Sequence, residues 1–224
     1  MPAAQVFITG GTGYMGRRLI PALIARGHRV DALVRPGSES RLPAGPTPVV
    51  GDVLSRSSFT SAIARDSVVV HLVGTPHPSP SKAAQFEAVD FVSARECIAA
   101  AQAAGARHFV YVSVAHPAPV MHAYVDARVR GEALLRESGI AHTVLRPWYV
   151  LGPGHRWAYA LLPAYWLLGA LPSTREGARR LGMVTLAQMV GALVWAVETA
   201  GEESRVVGVT EIRDKAGGTL SVFS

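Results

Sequence analysis

The sequence predicts an α/β fold in which helices cover both faces of a doubly wound parallel sheet. Short β-like segments alternate with helix-like segments from residue 5 to residue 146. The segment Ser67–Val73 is rich in β-branched residues, which is typical of a strand buried on both faces. A glycine-rich turn joins the first strand to the first helix. Together these three observations indicate parallel strands joined by right-handed crossovers.

Four strands and two helices are predicted in the first half of the chain. The helices are Arg17–Arg26, which Gly27 ends, and Ser57–Ala64. A loop rich in proline, glycine and serine occupies residues 36–48. The predicted strands are Val6–Thr9, His28–Val34, Pro48–Gly51 and Ser67–Val73.

The second half continues the alternation after a loop with three prolines at residues 74–81. A long helix is predicted over Ala83–Ala104, ended by Gly105, and another over Val125–Glu137. At 224 residues the chain is long enough for one sizeable core, so we treat residues 1–224 as a single domain. The further predicted strands are His108–Ser113, Ala141–Leu145 and, in the tail, Val206–Val209.

The turn after the first strand carries the strongest functional signal. Gly11, Gly13 and Gly16 fit the spacing G-x-G-x-x-G, and with Gly10 as the first member the spacing is G-x-x-G-x-x-G. Glycine permits an unusual backbone angle, a close approach of a pyrophosphate and tight contact between helix and strand. The N–H groups and the positive end of the helix dipole then hold the phosphates. Because a strand precedes the motif and a helix follows it, we predict a dinucleotide site rather than a purely structural turn. The expected contacts are Gly10, Thr12, Gly13, Tyr14, Met15 and Gly16.

The residue that ends the second strand distinguishes the two nicotinamide dinucleotides. An acidic residue there binds the ribose 2′-hydroxyl of NAD, whereas an arginine accommodates the 2′-phosphate of NADP. Arg35 occupies this place, nineteen positions after Gly16, so we expect NADP or NADPH rather than NAD. Asp31 is the competing acidic candidate, but it lies early in the strand. The alternative interpretation of Arg35 is a solvated loop arginine.

Residues after the other strands are also candidates, because ligands of such sheets bind beyond the carboxyl ends of the strands. Asp52, with Val53 beside it, follows the third strand and is placed to accept a hydrogen bond from the adenine amino group. The alternative role of Asp52 is to cap the helix that starts near Ser57. Val73 and Gly74, at the end of the fourth strand, are expected to line the same cofactor site.

Composition excludes several other functions. The single cysteine, Cys97, rules out an internal disulfide and a multi-cysteine metal site, and it fits a reducing compartment. The histidines lack metal-ligand spacing, Ser113 lacks a G-x-S-x-G elbow, and no P-loop motif occurs. The net charge of +6 comes from scattered residues, so we expect no nucleic-acid partner. The N-terminus runs directly into the first strand, and we therefore expect a cytoplasmic protein.

Residues 157–172 form an uncharged stretch. These sixteen residues, with Pro163 and Gly169 among them, fall short of the ~20 apolar residues that span a bilayer, so no transmembrane span is expected. The stretch allows three interpretations: a buried helix pair, a lid over a ligand pocket, or a surface that meets a membrane or a partner protein.

Several short motifs occur in an order that resembles a known family. The glycine turn and Arg35 are followed by Gly-Asp at 51–52, His-Leu-Val-Gly at 71–74, Tyr-Val-Ser at 111–113 and Leu-Arg-Pro at 145–147. Together they look like the short-chain dehydrogenase/reductase superfamily, and within it like the atypical branch of NmrA-like proteins and relatives of a mitochondrial complex I subunit. The resemblance covers residues 5 to about 195 and implies a Rossmann fold that binds NAD(P). It also makes a homo-oligomer, paired through the helices after the fourth and fifth strands, one option.

Active members of this superfamily use serine, tyrosine and lysine, the last two spaced Y-x-x-x-K. The resemblance places Ser113 in the serine role and Tyr124 in the role of the acid or base. Arg128 stands where the family has lysine. A guanidinium stays charged and can lower the pKa of a tyrosine, but its shape and hydration differ from those of an ammonium group. The alternative is that Tyr124 is an ordinary tyrosine at the start of a helix.

The segment that follows the sixth strand matches the family's loop beside the nicotinamide. By resemblance, main-chain groups of Pro147, Tyr149 and Val150 contact the carboxamide, while Trp148 and Tyr149 wall the pocket. Core packing is the alternative role of the two aromatic residues. Residues 148–185 are expected to form a small lobe on the substrate side.

Two functions compete on this evidence. The first is an oxidoreductase that transfers hydride between NADPH and a small apolar carbonyl substrate, with Tyr124 as the acid or base. The second is a non-catalytic NADP(H)-binding protein that senses redox state or stabilises a protein complex. Arg128 in place of lysine and the uncharged stretch at 157–172 favour the second.

Overall fold

The computed structural model describes residues 3–153 and 180–217. Seven parallel strands form the main sheet in the spatial order β3-β2-β1-β4-β5-β6-β9, which confirms the predicted α/β class. The order reverses between β1 and β4, and a crevice opens there at the carboxyl ends of the strands. The strands of this sheet are β1 (Gln5–Thr9), β2 (Arg29–Val34), β3 (Thr47–Val50), β4 (Val68–His71), β5 (His108–Val112), β6 (His142–Leu145) and β9 (Arg205–Val207).

Helices pack on both faces of this sheet. Successive side chains of a strand point to opposite faces, and in β1 both faces are buried. Val6 and Ile8 belong to a first buried apolar cluster, and Phe7 belongs to a second one on the other face. The first cluster includes residues of α1, α5 and α6, and the second includes residues of α3 and α4. The helices are α1 (Gly16–Ile24), α2 (Ala83–Gln85), α3 (Val92–Ala104), α4 (His122–Glu137), α5 (Leu186–Glu198) and α6 (Val209–Gly217).

A buried chain of hydrogen bonds lies directly beneath the glycine turn. His71, the last residue of β4, shares a hydrogen bond of 2.8 Å between its Nδ1 and Oγ1 of Thr9, the last residue of β1. On its other side, Nε2 of His71 lies 3.3 Å from Oγ of Ser93 on α3. Burial, with a smaller contribution from the Arg128 charge, lowers the pKa of His71 to about 3. A neutral imidazole therefore joins two strand ends to a helix at the edge that carries the site.

Two predicted helices differ from the observed ones in kind. The other two differ only in their bounds: Arg17–Arg26 is observed as Gly16–Ile24, and Val125–Glu137 begins at His122. Ser57–Ala64 was predicted as a helix, and this is wrong: two short 3₁₀ turns occupy Arg56–Ser58 and Thr60–Ala62. Local hydroxyl groups compete for the backbone here, since Ser58 Oγ donates to the Ser55 carbonyl at 2.7 Å. The predicted long helix Ala83–Ala104 is helical throughout, but residues 86–91 within it are wound as a π-helix.

The tail and the predicted lobe are seen only in part. The tail strand joins the sheet beside β6, but it spans Arg205–Val207 and gives way to α6 at Val209. At the two ends of the predicted lobe, β7 (Tyr149–Leu151) and β8 (Met183–Thr185) pair in parallel as a separate two-stranded sheet. The uncharged stretch at 157–172 lies outside the described residues. Within the part of the chain that is described, no helix is long and apolar enough to span a bilayer.

Candidate cofactor and catalytic site

The glycine turn between β1 and α1 is tight, and two of its positions admit only glycine. Gly10 adopts a φ of +78°, and a Cβ atom on it would lie 3.0 Å from the carbonyl carbon of Leu72. A Cβ atom on Gly16 would lie 2.5 Å from the carbonyl oxygen of Gly10, so only glycine fits where α1 begins. The N–H of Gly13 donates to that same carbonyl at 3.0 Å and closes the turn. The positive end of α1 therefore faces the crevice at the carboxyl edge of the sheet.

The structure separates the two candidates for the residue that reads the ribose, Asp31 in β2 and Arg35 directly after it. Asp31 lies near the amino end of the strand, where the side-chain amide of Gln5 donates to its carboxylate. Arg35 directly follows the strand at its carboxyl end and is exposed. Asp31 is thus held away from the crevice, and Arg35 is the charged residue that the strand delivers to it.

Asp52 takes part in a local turn after β3. Its Oδ1 accepts from the N–H of Leu54 at 3.0 Å, and its own N–H donates to Oγ of Ser58 at 2.9 Å. The side chain therefore caps a turn rather than the helix that was expected from Ser57. It remains exposed at the carboxyl edge, and Val53 beside it is partly buried against the second core cluster.

The guanidinium of Arg128 is buried beneath the loop that follows β4. Nη1 donates to the carbonyl of Val112 at 3.0 Å, and Nη2 donates to the carbonyl of Val73 at 3.2 Å. Nη2 also donates to Oδ1 of Asp90 at 2.7 Å, in an ion pair whose side chains are 6% and 0% exposed. Burial alone would lower the pKa of Arg128, but the facing Tyr124, Tyr111 and Asp90 groups raise it above its ordinary value.

Asp90 completes an arrangement that we call the Asp90–Arg128 clasp, made of Gly74, Thr75, Asp90 and Arg128. The second oxygen of Asp90 accepts from the N–H of Thr75 at 3.0 Å and from its hydroxyl at 2.6 Å. Gly74 lies so close to Nη2 of Arg128 that a Cβ atom there would overlap it. The clasp thus fixes the loop that holds Val73 and Gly74, two of the predicted cofactor contacts.

Tyr124 and Arg128 share one face of α4, as their spacing predicts. Tyr124 is half-buried, and its ring centroid lies 5.1 Å from that of Phe86 on the π-helical segment. The guanidinium carbon of Arg128 lies 5.4 Å from the centroid of the Tyr124 ring. A permanent positive charge therefore lies beside the phenol ring. The guanidinium that carries it donates its hydrogen bonds to Asp90 and to the carbonyls of Val73 and Val112.

Ser113 is tied to a buried carboxylate. Its hydroxyl donates to Oε1 of Glu132, one turn beyond Arg128 on the same helix. Arg146 binds the same carboxylate through Nε, 3.0 Å from Oε1, and through Nη2. A serine hydroxyl has one proton, so in this arrangement Ser113 presents only lone pairs to a substrate.

The loop after β6 combines contacts to the core with an open edge. Pro147 is buried, and its carbonyl accepts from the N–H of Ala115 at 2.9 Å. Trp148 and Val150 pack against the first core cluster. Tyr149 opens β7, with its ring centroid 5.7 Å from that of Trp148. Core packing thus accounts for much of Trp148, while Tyr149 is half-buried beside the loop.

Two of the residues that shape this site, Asp90 and Glu132, were missed from the sequence. Glu132 had a usable signal, because it lies four residues after Arg128 on the helix face already assigned to the site. Asp90 had none, since it lies 38 residues before its partner and only the tertiary fold joins them. Within the described residues, no three histidine, cysteine, aspartate or glutamate side chains form a group that could hold a metal ion.

A cavity of about 660 Å³ lies away from the glycine turn. Its lining comes mainly from the flanks of α1 and α5, with Pro21, Ala22 and Val190 among its residues. The glycine turn, Arg35 and the clasp lie instead together at the carboxyl edge of the sheet.

Comparison with known proteins agrees with this geometry. Residues 10–159 match the NAD(P)H-binding family. The chain belongs to that family. The resemblance to the short-chain dehydrogenase/reductase superfamily and the prediction of a dinucleotide site are thereby confirmed, whereas the choice of NADP over NAD stays a prediction.

Three curated relatives of the chain are named reductases or ketoreductases. It is 36% identical over 222 residues to a 3-diazoavenalumate denitrifying reductase of Streptomyces sp, covering 87% of this chain and 72% of the relative. It is 28% identical to a ceramide reductase of Caulobacter vibrioides, covering 93% of this chain and 64% of the relative. A ketoreductase of Stigmatella aurantiaca is 27% identical, with 66% of this chain and 51% of the relative covered. The chain thus spans between about half and three quarters of the length of these three relatives.

Solved structures share the fold. The Bordetella bronchiseptica enzyme WbmH in complex with NAD+ superposes with a TM-score of 0.68 at 22% identity, covering 95% of this chain and 80% of that one. A UDP-galactose 4-epimerase superposes with a TM-score of 0.66 at 20% identity, covering 91% and 77%. At such identities the likeness shows a Rossmann fold.

Proposed function

We propose that the protein is an NADP(H)-dependent reductase that acts on a small, mostly apolar carbonyl compound. The observation that carries the proposal is the juxtaposition, at one edge of the sheet, of the glycine turn, Arg35 and Tyr124. The glycine turn fits the pyrophosphate, and Arg35 offers a guanidinium where the 2′-phosphate of NADP would lie. The reductase names of the curated relatives support the same reaction class.

Several residues of this chain have separate roles in such a reaction. When bound, NADPH supplies the hydride that converts the carbonyl carbon to an alcohol. Tyr124 gives the substrate oxygen its proton, and the buried guanidinium of Arg128 lies beside its ring. The clasp holds Val73 and Gly74 beside the cofactor, and main-chain groups of Pro147, Tyr149 and Val150 orient the nicotinamide. Ser113 orients the carbonyl once its hydroxyl turns away from Glu132.

The first test is a thermal-shift titration of the wild type with NADPH, NADH, NADP and NAD. We expect the NADP pair to raise the melting temperature at lower concentration than the NAD pair. Arg35→Ala should weaken NADPH about tenfold or more and leave NADH unchanged, because one charge-assisted contact to phosphate is lost. Arg29→Ala is the matched control, since Arg29 is exposed at the opposite end of the same strand. Equal preference for NADH, or an Arg29→Ala effect as large as that of Arg35→Ala, would overturn the cofactor assignment.

A second candidate function is NADP(H) binding without catalysis, as a redox sensor or an assembly protein. It is favoured by Arg128, whose hydrogen bonds serve the clasp and which replaces the family's lysine. A panel of aldehydes and ketones distinguishes the two functions. The reductase should consume NADPH with at least one of them and lose that turnover in Tyr124→Phe. NADPH binding with no turnover of any member would support the sensor. We place either protein in the cytoplasm, because its one cysteine is buried and unpaired.

A further inference from the structure

A second cavity, of about 370 Å³, opens at the carboxyl edge of the sheet beyond β5, β6 and β9. His116 enters its lining from the segment after β5, and Arg146 directly follows β6. Gly208 and the first turn of α6 close it on the side of β9, and Arg180 reaches it from the segment before β8. Because all these strands are parallel, the cavity shares its edge with the glycine turn. We call it the Arg146–Arg180 cavity.

Basic groups converge on this cavity. Arg146 uses Nε and Nη2 to bind Glu132, which leaves Nη1 without a protein partner among the described residues. Arg180 is exposed and likewise has no ion-pair partner within the described part of the chain. His116 adds an imidazole whose Nε2 is buried 3.6 Å from Oε1 of Glu132, without a hydrogen bond. Glu132 and Arg146 form an ion pair, so the positive charge that Glu132 does not balance is that of Arg180, while Nη1 of Arg146 supplies a hydrogen-bond donor.

One carboxylate does face the cavity from α6. Oε2 of Glu211 accepts from the N–H of Gly208 at 2.8 Å and so caps the start of the helix. The N-terminal end of α6 points its positive dipole toward the same space. The charge of Glu211 therefore opposes an anion in the cavity, whereas Arg180, Nη1 of Arg146 and the end of α6 favour one.

Apolar surface lies beside these charges. Val206 is 47% exposed on the edge strand, and Val209 and Ala115 also line the cavity. An inorganic ion would leave this surface in water, whereas an organic acid covers it with its apolar body. A volume near 370 Å³ lies within the range of small-molecule sites.

We propose that the Arg146–Arg180 cavity binds the carboxylate of an organic-acid substrate. Arg146 joins the cavity to the reacting edge, since the same Glu132 carboxylate accepts from both Arg146 and Ser113. A substrate whose acid group lies against Arg146 and Arg180 extends from there toward Ser113 and Tyr124. This inference rests on the proposed reductase function. It narrows the class of substrate to carbonyl compounds that carry a carboxylate on an apolar body.

The test measures binding of sodium benzoate to the 224-residue protein, with and without NADPH, by calorimetry at low salt. Benzamide has the same shape without the charge, and inorganic phosphate has the charge without the apolar body. We expect benzoate to bind, and both benzamide and phosphate to bind at least tenfold more weakly. Equal binding of benzamide would overturn the charge argument. Equal binding of phosphate would show an anion site unrelated to an organic acid and would also overturn the proposal.

Two variants with opposite expected effects sharpen the test. Arg180→Gln removes a positive charge and should weaken benzoate about threefold to fivefold. Glu211→Gln keeps a carbonyl oxygen that can accept from Gly208 but removes the negative charge, and it should strengthen benzoate by a similar factor. Arg136→Gln, an exposed change at the far end of α4, is the control for net charge. Changes of the same sign in Arg180→Gln and Glu211→Gln, or an equal effect of Arg136→Gln, would refute the site.

The outcomes also separate this inference from the proposed function. If NADPH binds but benzoate does not, only the carboxylate site fails. If benzoate binds with the expected pattern of variants but no dinucleotide binds, the reductase function fails while the anion site stands.

Discussion

Arg128→Lys is the most informative substitution, because it restores the tyrosine–lysine spacing of the superfamily while removing part of the clasp. The guanidinium makes three hydrogen bonds, to Val112 at 3.0 Å, to Val73 at 3.2 Å and to Asp90 at 2.7 Å. A lysine has one nitrogen on a different stem, and we expect it to keep the bond to the carboxylate and lose those to the two carbonyls. Each lost bond from a charged donor costs about 1.5 kcal/mol or more, so the free energy of unfolding should fall by about 3 kcal/mol.

Urea unfolding at neutral pH, followed by far-ultraviolet circular dichroism, measures this change. For a chain of this size a loss of about 3 kcal/mol corresponds to a melting temperature lower by about 6–12 °C. The matched control is Arg130→Lys on the same helix, where the arginine is 43% exposed and pairs with Glu87. That control should lower the melting temperature much less than Arg128→Lys, because its ion pair is exposed, although lysine loses one hydrogen bond to Glu87 and the stacking of the guanidinium on Phe91.

NADPH titration of the same variants tests the functional side of the argument. Because the clasp positions Val73 and Gly74, Arg128→Lys should also weaken NADPH, whereas Arg130→Lys should not. The reasoning is refuted if Arg128→Lys unfolds at the wild-type urea concentration and turns over NADPH faster than the wild type. That result would mean that the position needs only a positive charge, and that the hydrogen bonds of the guanidinium contribute nothing.

Two further predictions concern the edge that carries the site. Gly16→Ala should abolish dinucleotide binding in a thermal-shift titration, because its Cβ would lie 2.5 Å from the carbonyl oxygen of Gly10. The control Gly201→Ala should bind normally, since the atom nearest to its Cβ would be 3.9 Å away. Burial lowers the pKa of His71 from 6.5 to about 3. As the pH falls below 6.5, the imidazole of His71 therefore takes up a proton in the unfolded chain before it does so in the folded one. The free energy of unfolding decreases until the pH reaches about 3. At pH 5 this loss is about 2 kcal/mol. The difference in the free energy of unfolding between pH 7 and pH 5, measured with urea, should therefore be smaller in His71→Gln than in the wild type. An unchanged pH difference in His71→Gln would contradict the neutral buried imidazole.

The pattern of apolar, glycine and proline residues along the chain predicted most of the fold correctly. The strands and the helix ends could be found because burial on both faces demands apolar runs, and because residues such as Gly105, with a φ of +73°, stop helices. The error at Ser57–Ala64 has the opposite cause. The segment has three serines and a threonine, whose hydroxyls can form hydrogen bonds with the nearby backbone and so compete with helical hydrogen bonds. The spacing of apolar residues, from which the helix was predicted, carries no information about that competition.

The sequence by itself determined the parallel sheet, the glycine turn and the position of Arg35. Each depends on requirements that act within a few residues: a strand, a turn that only glycine fits, and the end of the next strand. The tertiary structure alone decided what Arg128 and Ser113 do. Their partners are Asp90, 38 residues away, and Glu132, 19 residues away, and both pairs are buried. A buried charge must find a partner wherever the fold provides one, so these roles follow from packing of helices on the sheet and not from spacing along the chain.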